Sequence, residues 1–286
     1  MSNARNRCAY CEREKQLTRE HVVPNFLYKA NPLAKFGYNL RADKFMAWEA
    51  QVKDVCADCN NHYLSKVDSY AKDFFKANRI EKMVTEEKTV RITYDHSLLL
   101  RVLFKLTFNC LRFKGEDARW IEHFKEYILH GTGFPAYYRI KIGIEVVPCH
   151  RIMEKERASL SGESKTWKYL PPHMIRMGNI CGISGDDVFA RYVFVNNFYF
   201  YCIVCPEPDA QEKLKVAMKR LRSTWPSILF LHPHKTSMTL RVSDDSIIKK
   251  YSDTAAMLSD KWAEYLKTDN TPRNRVQRIA EKAGSR

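Results

Sequence analysis

The sequence predicts an α+β fold, in which a small N-terminal unit of two strands and a helix precedes a larger domain with an antiparallel sheet and several helices. Three observations support this fold class. Two Cys-x-x-Cys pairs, Cys8/Cys11 and Cys56/Cys59, enclose the first unit. Apolar residues after the second pair recur at steps of three and four, as in an amphipathic helix. Beyond residue 90, segments with the helical period are interspersed with segments of strand period.

The four cysteines of these pairs are the candidate zinc ligands. A Cys-x-x-Cys turn places two thiolates on one side of a metal ion, and two such turns complete a tetrahedral Zn²⁺ site. Two strands and one helix form too small a core to be stable alone, so we expect that folding of this unit requires zinc. The alternative is a structural zinc knuckle without any catalytic role, as in many binding modules.

The elements of the first unit follow from the order of its motifs. Residues 6–12 are expected to form the first cysteine turn. Residues 17–24 form a strand that ends at Pro24, because proline lacks the N–H that a ladder needs. Residues 25–43 are an irregular or partly helical excursion, and residues 44–54 form the second strand. The second cysteine turn leads into a helix, and its buried face is predicted to contain Leu64, Val67, Ala71, Phe74 and Phe75.

The larger domain is predicted over residues 90–267, after a charged linker at residues 81–89. Its expected strands, paired in an antiparallel sheet, cover residues 90–94, 137–152, 175–183, 188–204, 228–231 and 238–242. Its expected helices cover residues 96–113, 117–130, 209–222 and 244–266. Residues 268–286 form a polar, net-basic tail for which no structure is predicted. The expected role of this domain is binding, substrate specificity or regulation.

Charge and apolar content limit the classes of partner. The 286 residues carry a formal net charge of +15, which favours polyanions such as nucleic acid. No apolar run approaches the roughly 20 residues that span a bilayer, and residues 1–7 lack the apolar segment of a secretory signal. The nine cysteines are therefore interpreted as reduced thiols and metal ligands. We expect a cytoplasmic protein that binds nucleic acid and no membrane.

A further motif lies between the cysteine pairs. Residues 20–24 read Glu-His-Val-Val-Pro, and Asn60 directly follows Cys59. Together with the four cysteines, these residues resemble the HNH, or ββα-metal, endonucleases in the branch that carries a four-cysteine zinc. The resemblance covers roughly residues 1–75. It implies a nuclease domain in residues 1–80 that contains structural Zn²⁺ and uses a catalytic Mg²⁺ or Mn²⁺ ion.

The resemblance implies a role for each motif residue. His21 resembles the general base, Asn60 a ligand of the catalytic cation, and Glu20 the acidic ligand before the histidine. Asn61 and His62 are the two candidates for the later ligand of the motif. Adjacent strand residues point to opposite faces, so Glu20 and His21 share a site only if the strand is bulged or strongly twisted. Asn60 has a helix N-cap as its alternative role.

Two features depart from the family pattern. The acidic position is more often Asp than Glu. The link between Cys11 and Cys56 is long, with an insertion around residues 29–44.

The implied chemistry is phosphodiester hydrolysis. That reaction requires a deprotonated water in line with the leaving oxygen and neutralisation of the charge that develops on the phosphate. An imidazole, with an ordinary pKa of about 6.5, accepts a proton from water near neutral pH. Lys66, Lys72 and Lys76 on the predicted helix are candidate phosphate contacts, with a solvated helix face as the alternative for each.

The leading hypothesis is therefore a metal-dependent endonuclease that acts on DNA, with RNA as the alternative substrate. The family includes restriction, phage-encoded, homing and anti-phage defence nucleases. A sensor-like C-terminal domain that binds a regulatory ligand or partner suits the defence class by analogy. Because a double-strand cut usually needs two active sites, a homodimer is a further expectation. The alternatives are a non-catalytic zinc-stabilised nucleic-acid-binding protein and an adaptor with an inactive nuclease fold.

Overall fold

The computed structural model describes residues 6–30, 36–39, 44–47, 49–82, 84–149, 151, 153–154, 168–169, 175–180, 182–185 and 187–243. Helices and antiparallel sheets alternate along these residues, so the predicted α+β class is confirmed. The helix expected at residues 244–266 and the tail expected at residues 268–286 lie outside the described residues.

The N-terminal part is built on a two-stranded antiparallel ribbon. Strand β1 (Leu17–His21) pairs with strand β4 (Gln51–Cys56), and His21 lies opposite Gln51. Helix α1 (Asn25–Ala30) follows β1. The ribbon brings the end of β4, and with it the second cysteine pair, next to the start of β1.

The second predicted strand is divided in two. Residues 44–54 were expected to be continuous, but β3 (Lys44–Ala47) pairs with β2 (Phe36–Asn39), whereas β4 pairs with β1. The prediction of one strand is therefore wrong. Alternation of side chains along a single segment does not reveal that its two halves have different partners.

The second cysteine pair leads into a helix, as predicted. A π-helical turn (Cys59–Leu64) continues directly into α2 (Ser65–Ala77). The residues predicted for its buried face are all buried, namely Leu64, Val67, Ala71, Phe74 and Phe75. The helical period of the sequence therefore identified this face correctly.

Eleven further elements follow in the described part of the chain. They are β5 (Thr89–Thr93), α3 (His96–Lys114), α4 (Arg119–Glu122), α5 (Lys125–His130), β6 (Tyr138–Val146), β7 (Ile175–Asn179), β8 (Phe189–Val195), β9 (Phe198–Pro206), α6 (Ala210–Thr224), β10 (Leu229–Phe230) and β11 (Ser237–Arg241). Five of the strands form one antiparallel sheet in the order β10-β6-β9-β8-β7, and β5 pairs with β11.

Two predicted elements in this region are interrupted. The strand expected over residues 188–204 is a hairpin of β8 and β9, because Asn196 and Asn197 form a turn in which Asn196 has φ 53°. Asparagine tolerates this left-handed conformation better than most residues. The helix expected over residues 117–130 consists of α4 and α5, with a turn at His123 and Phe124 between them.

Helix α3 is bounded by clear capping signals. The Asp95 carboxylate accepts a hydrogen bond of 2.9 Å from the Leu98 N–H at the helix start. At the other end Gly115 has φ 67°, a left-handed conformation that glycine adopts without steric cost. Of the helices in the described part of the chain, none combines the length and apolarity needed to cross a membrane.

Both faces of the five-stranded sheet are buried. Side chains alternate along β9, so Phe198, Phe200 and Cys202 lie in the larger hydrophobic cluster while Tyr199 and Cys205 lie in the smaller one beneath α6. The larger cluster also contains residues of the first cysteine turn, β4, α2 and α3. It is continuous across the predicted linker at residues 81–89, where Val84 is buried. The N-terminal part therefore shares its core with α3 and the sheet.

Candidate functional site

The sulfur atoms of Cys8, Cys11, Cys56 and Cys59 all lie within 4.8 Å of one another. The Sγ atoms of Cys11 and Cys56 are 3.8 Å apart. Four sulfurs at about 2.3 Å from a central zinc ion would be separated by about 3.8 Å in a tetrahedron. The predicted convergence of the cysteines is confirmed, and the donor set fits a structural zinc ion. Within the described ranges no other group of three or more His, Cys, Asp or Glu side chains is so placed.

Backbone hydrogen bonds shape the first cysteine turn. The Cys8 N–H donates to the Arg13 carbonyl at 3.0 Å, and the Glu12 N–H donates to the Cys8 carbonyl at 2.9 Å. The Cys56 N–H donates to the Cys8 sulfur at 3.3 Å, across the two turns. Burial raises the pKa of the Cys8 thiol, but backbone N–H groups, that of Cys56 foremost, outweigh burial and lower this pKa to about 7. The thiolate is the form that binds metal.

His21 lies at the end of β1, with a side chain that is 27% exposed. Its Nε2 atom is 3.2 Å from a carboxylate oxygen of Glu49 and 3.0 Å from the side-chain nitrogen of Gln51. A carboxylate only accepts hydrogen bonds and an amide nitrogen only donates them, so the two contacts require opposite states of Nε2. We give the charged Glu49 carboxylate precedence and assign the proton of the neutral ring to Nε2 and the lone pair to Nδ1, in which case the Gln51 nitrogen contacts the ring without a hydrogen bond. The ring is thus oriented by the hydrogen bond to Glu49, and Gln51, the first residue of β4, packs beside it.

Glu20 does not share a site with His21. Its side chain is buried, and one carboxylate oxygen lies 2.6 Å from Nζ of Lys105. The β-bulge of β1 falls between Thr18 and Glu20, so Glu20 and His21 keep the opposite orientations of adjacent strand residues. Burial raises the pKa of Glu20, and the neighbouring Lys105 charge acts in the opposite direction. The structure does not bring this carboxylate to the side of the ribbon where the imidazole lies.

Asn60 connects the π-helical turn to β1. Its side-chain nitrogen donates to Thr18 Oγ1 and to the Arg19 carbonyl, both at 3.0 Å. The side chain therefore does not cap the helix, which was the alternative role. With the nitrogen committed to β1, the amide oxygen is the atom that Asn60 can offer to a cation. The contact at Arg19 lies two residues before His21.

The remaining predicted site residues are on the surface. Asn61 and His62 are exposed on the same turn as Asn60. The three lysines predicted as phosphate contacts are exposed on the solvent side of α2, namely Lys66, Lys72 and Lys76.

The outer face of the ribbon carries two cations that sequence reasoning missed. Arg19 and Lys53 are exposed, and alternation along β1 and β4 places them on the same face as His21 and Gln51. In the described part of the chain neither cation has an acidic partner. The strand register, which joins residues 30 or more positions apart, reveals this face, and the sequence alone does not supply that register.

Glu49 was missed for a related reason. It lies outside the strand pairing, two residues before Gln51, and no motif marks it. Its carboxylate can be recognised as a partner of His21 only after the ribbon has been assembled.

No family model matches the chain, and no curated protein or solved structure matches it either. The four-cysteine cluster is therefore the established feature of this region, and its function is argued from geometry.

Proposed function

We propose that the chain is a metal-dependent endonuclease of the HNH type, which hydrolyses phosphodiester bonds in DNA. One observation carries the proposal: the Asn60 side chain is bound to β1 two residues before His21, on a ribbon whose end is held by a four-cysteine cluster. Asn60 holds β1 through the Arg19 carbonyl, two residues before His21. The cysteine cluster fixes the end of β4 and the start of the π-helical turn relative to the turn before β1. The strand that carries the imidazole therefore also carries an exposed cation, Arg19, and binds the carboxamide of Asn60.

In this proposal His21 is the general base. Nδ1 accepts a proton from the attacking water, while the Nε2–H donates to Glu49. The Glu49 carboxylate keeps the proton on Nε2 and stabilises the imidazolium that forms when Nδ1 is protonated. The Gln51 side chain packs against the ring from the paired strand. These contacts supply what a base needs, which is a fixed tautomer and orientation.

The catalytic cation would be Mg²⁺ or Mn²⁺, held by the Asn60 amide oxygen together with Asn61 or His62 of the same turn. Magnesium sites commonly combine few protein ligands with substrate phosphate oxygens and water. When bound, such a cation stabilises negative charge on the leaving oxygen. Glu20 is not assigned to this role, because its carboxylate is paired with Lys105 inside the protein. With neutral ligands from an exposed turn, the cation is expected to bind mainly together with the nucleic acid.

Plasmid cleavage tests the proposal. Zinc-loaded full-length protein is incubated with supercoiled plasmid in buffer with Mg²⁺, with Mn²⁺, or with neither, and zinc content is measured in each sample. We expect nicked or linear product only with added Mg²⁺ or Mn²⁺. Equal cleavage without either ion, or no cleavage of the plasmid in all three buffers, would contradict the proposal.

The cations on the ribbon support a prediction about substrate binding. In Arg19→Ala/Lys53→Ala, affinity for a DNA duplex should fall, because two phosphate contacts next to His21 are lost. The slope of log affinity against log salt concentration should decrease in magnitude by about 2, at about 0.9 per phosphate contact. Fluorescence anisotropy over a salt series measures both quantities.

A charge-matched control accompanies this measurement. Lys219→Ala/Arg220→Ala removes the same charge from exposed positions on α6 and should leave the slope close to that of the unmodified protein. An equal change in both double variants would show that net charge, not the ribbon face, determines the affinity.

The second candidate function is a zinc-stabilised nucleic-acid-binding protein without catalysis. The exposed cations Arg19 and Lys53 favour it as much as they favour the nuclease, because phosphate binding does not require cleavage. Salt-dependent DNA binding with no product in the plasmid experiment would support this candidate.

A further inference from the structure

Helix α3 carries a polar stripe on an otherwise apolar body. The stripe consists of Lys105, Asn109 and Arg112, which lie four and three residues apart and therefore share one face of the helix. Lys105 is 1% exposed and Asn109 is 0% exposed. Such residues are almost never fully buried unless they are paired. Their side-chain hydrogen-bond and ion-pair partners all belong to the N-terminal part of the chain or to the stripe itself.

Lys105 joins two elements of the N-terminal part. Its Nζ atom lies 2.6 Å from the Glu20 carboxylate on β1 and 2.5 Å from the Asp68 carboxylate on α2. One buried cation is thus shared by two acidic groups, each from a different element. The arrangement fixes β1 relative to α2 through α3.

Asn109 contacts the peptide group of the proposed base. Its side-chain nitrogen donates to the His21 backbone carbonyl at 3.1 Å and to the Glu20 carboxylate at 3.4 Å. Its side-chain oxygen accepts from the Tyr10 hydroxyl at 2.7 Å and from Arg112 at 3.0 Å. A single carboxamide therefore links the first cysteine turn, β1 and α3.

Arg112 completes the stripe on the side of β4. Its guanidinium group donates to both carboxylate oxygens of Asp54, at 2.9 and 3.3 Å. It also lies over the rings of Phe108, at 4.0 Å, and Tyr10, at 5.1 Å. The fork geometry of arginine fixes direction as well as distance.

We propose that α3 is part of the candidate nuclease unit, and that Lys105 and Asn109 are positioning residues that hold β1 so that the His21 ring faces substrate. This inference rests on the proposed function. The physical reason is the cost of burying charged groups: apolar residues of similar volume would give equal or greater stability, whereas a paired polar network specifies one orientation. The residues that follow the predicted linker therefore contribute to the chemistry, in addition to binding or regulation.

The inference also gives Glu20 a role different from that implied by the resemblance. The carboxylate acts through Lys105 and Asn109 as a structural partner of β1, not as a cation ligand. Glu20→Gln combined with Lys105→Met removes both charges of the most buried pair together. The Asp68 carboxylate also loses Lys105, but its side chain is 31% exposed and remains solvated. In this double variant kcat should fall. The Mg²⁺ concentration that gives half-maximal cleavage should stay within about twofold of the concentration measured for the unmodified protein.

The decisive experiment uses the full chain with Asn109→Asp and Asn109→Leu. The aspartate variant keeps an acceptor for Tyr10 and Arg112 but loses the N–H that donates to the His21 carbonyl. The leucine variant loses both the acceptor and the donor. Thr107→Val is the control, a buried polar residue of the same helix that makes no hydrogen bond to the N-terminal part of the described chain. We expect kcat to fall by about 10- to 100-fold in both Asn109 variants, with KM for DNA and zinc content nearly unchanged.

A second measurement on the same proteins does not depend on catalysis. Hydrogen exchange is followed at the amides of β1 and β4, with α6 as an internal reference. Faster exchange in the ribbon of the Asn109 variants, but not in α6 or in Thr107→Val, is the expected result. Unchanged ribbon exchange would overturn the inference, as would unchanged kcat in an active protein. An inactive unmodified protein with faster ribbon exchange in the variants would contradict the nuclease proposal alone and retain the positional role of α3.

Discussion

Replacing His21 with glutamine is expected to lower kcat for plasmid cleavage by about 10²- to 10⁴-fold, the range that a general base contributes. Glutamine retains a polar group of similar size but has no ring nitrogen to accept a proton from water. The His21 ring lies on the exposed face of β1 and takes no part in the buried cluster, so zinc content and DNA affinity should be preserved. Single-turnover cleavage and metal analysis measure these quantities.

Two neighbouring substitutions make this prediction specific. Glu49→Gln removes the carboxylate beside Nε2, and the loss of tautomer control and of imidazolium stabilisation should lower kcat by at least about tenfold. Gln51→Ala removes an uncharged contact to the same atom and should cost less. Retention of the original kcat by His21→Gln would exclude this histidine as the base.

Removal of zinc is expected to unfold the N-terminal part. Zinc binding to such thiolate sites contributes about 10–16 kcal/mol of apparent free energy near pH 7, and most of it is free energy of folding. Cys56 is fully buried at the end of β4, where its peptide N–H also contacts the Cys8 sulfur. Cys56→Ser should therefore lose bound zinc, the near-ultraviolet circular dichroism of the packed aromatic residues and DNA cleavage together. Chelation should have the same effect, reversed by Zn²⁺ and not by Mg²⁺.

A buried thiol outside the cluster provides the control. Cys202 lies in the core of β9, remote in sequence from the cysteine pairs. Cys202→Ala should retain one zinc ion per chain and tolerate chelators as the unmodified protein does. Full zinc content in Cys56→Ser would refute the zinc site. An unchanged fold in protein shown to contain no metal would refute the requirement of zinc for folding.

Features that depend on nearby residues were predicted well from the sequence. The two cysteine pairs each form within a short turn, so their spacing alone indicates a metal site. The buried face of α2 follows from a helical period that lies within a single element. The limits of α3 follow from Asp95 and Gly115, which are adjacent to the helix they bound.

Features that depend on pairing between distant segments were not predicted. The hairpin at Asn196 and Asn197 was missed because aromatic residues continue on both sides of it, so the turn has no change of composition. The division between β3 and β4 was missed because a strand's partner is not encoded in its own alternation. Both errors concern which strand lies beside which.

The placement of Glu20 is the most instructive difference at the candidate site. A linear motif puts Glu20 and His21 together, whereas the pleat of a strand separates them. The partner of Glu20 is Lys105, a single cation in the middle of an apolar helix. A lysine in such surroundings is itself a signal of a buried ion pair, but the identity of its partner requires the folded chain.

The larger hydrophobic cluster, which extends from Cys8 to Leu240, has a consequence for how the protein unfolds on heating. Two parts of a chain that share one core unfold cooperatively, because unfolding of one part exposes the core residues of the other. The N-terminal part, which contains the cysteine cluster, is therefore stabilised by packing against the sheet. Substitutions deep in that sheet will therefore destabilise the part of the chain that contains the cysteine cluster and His21, by lowering the population of folded molecules, without altering any residue of that part.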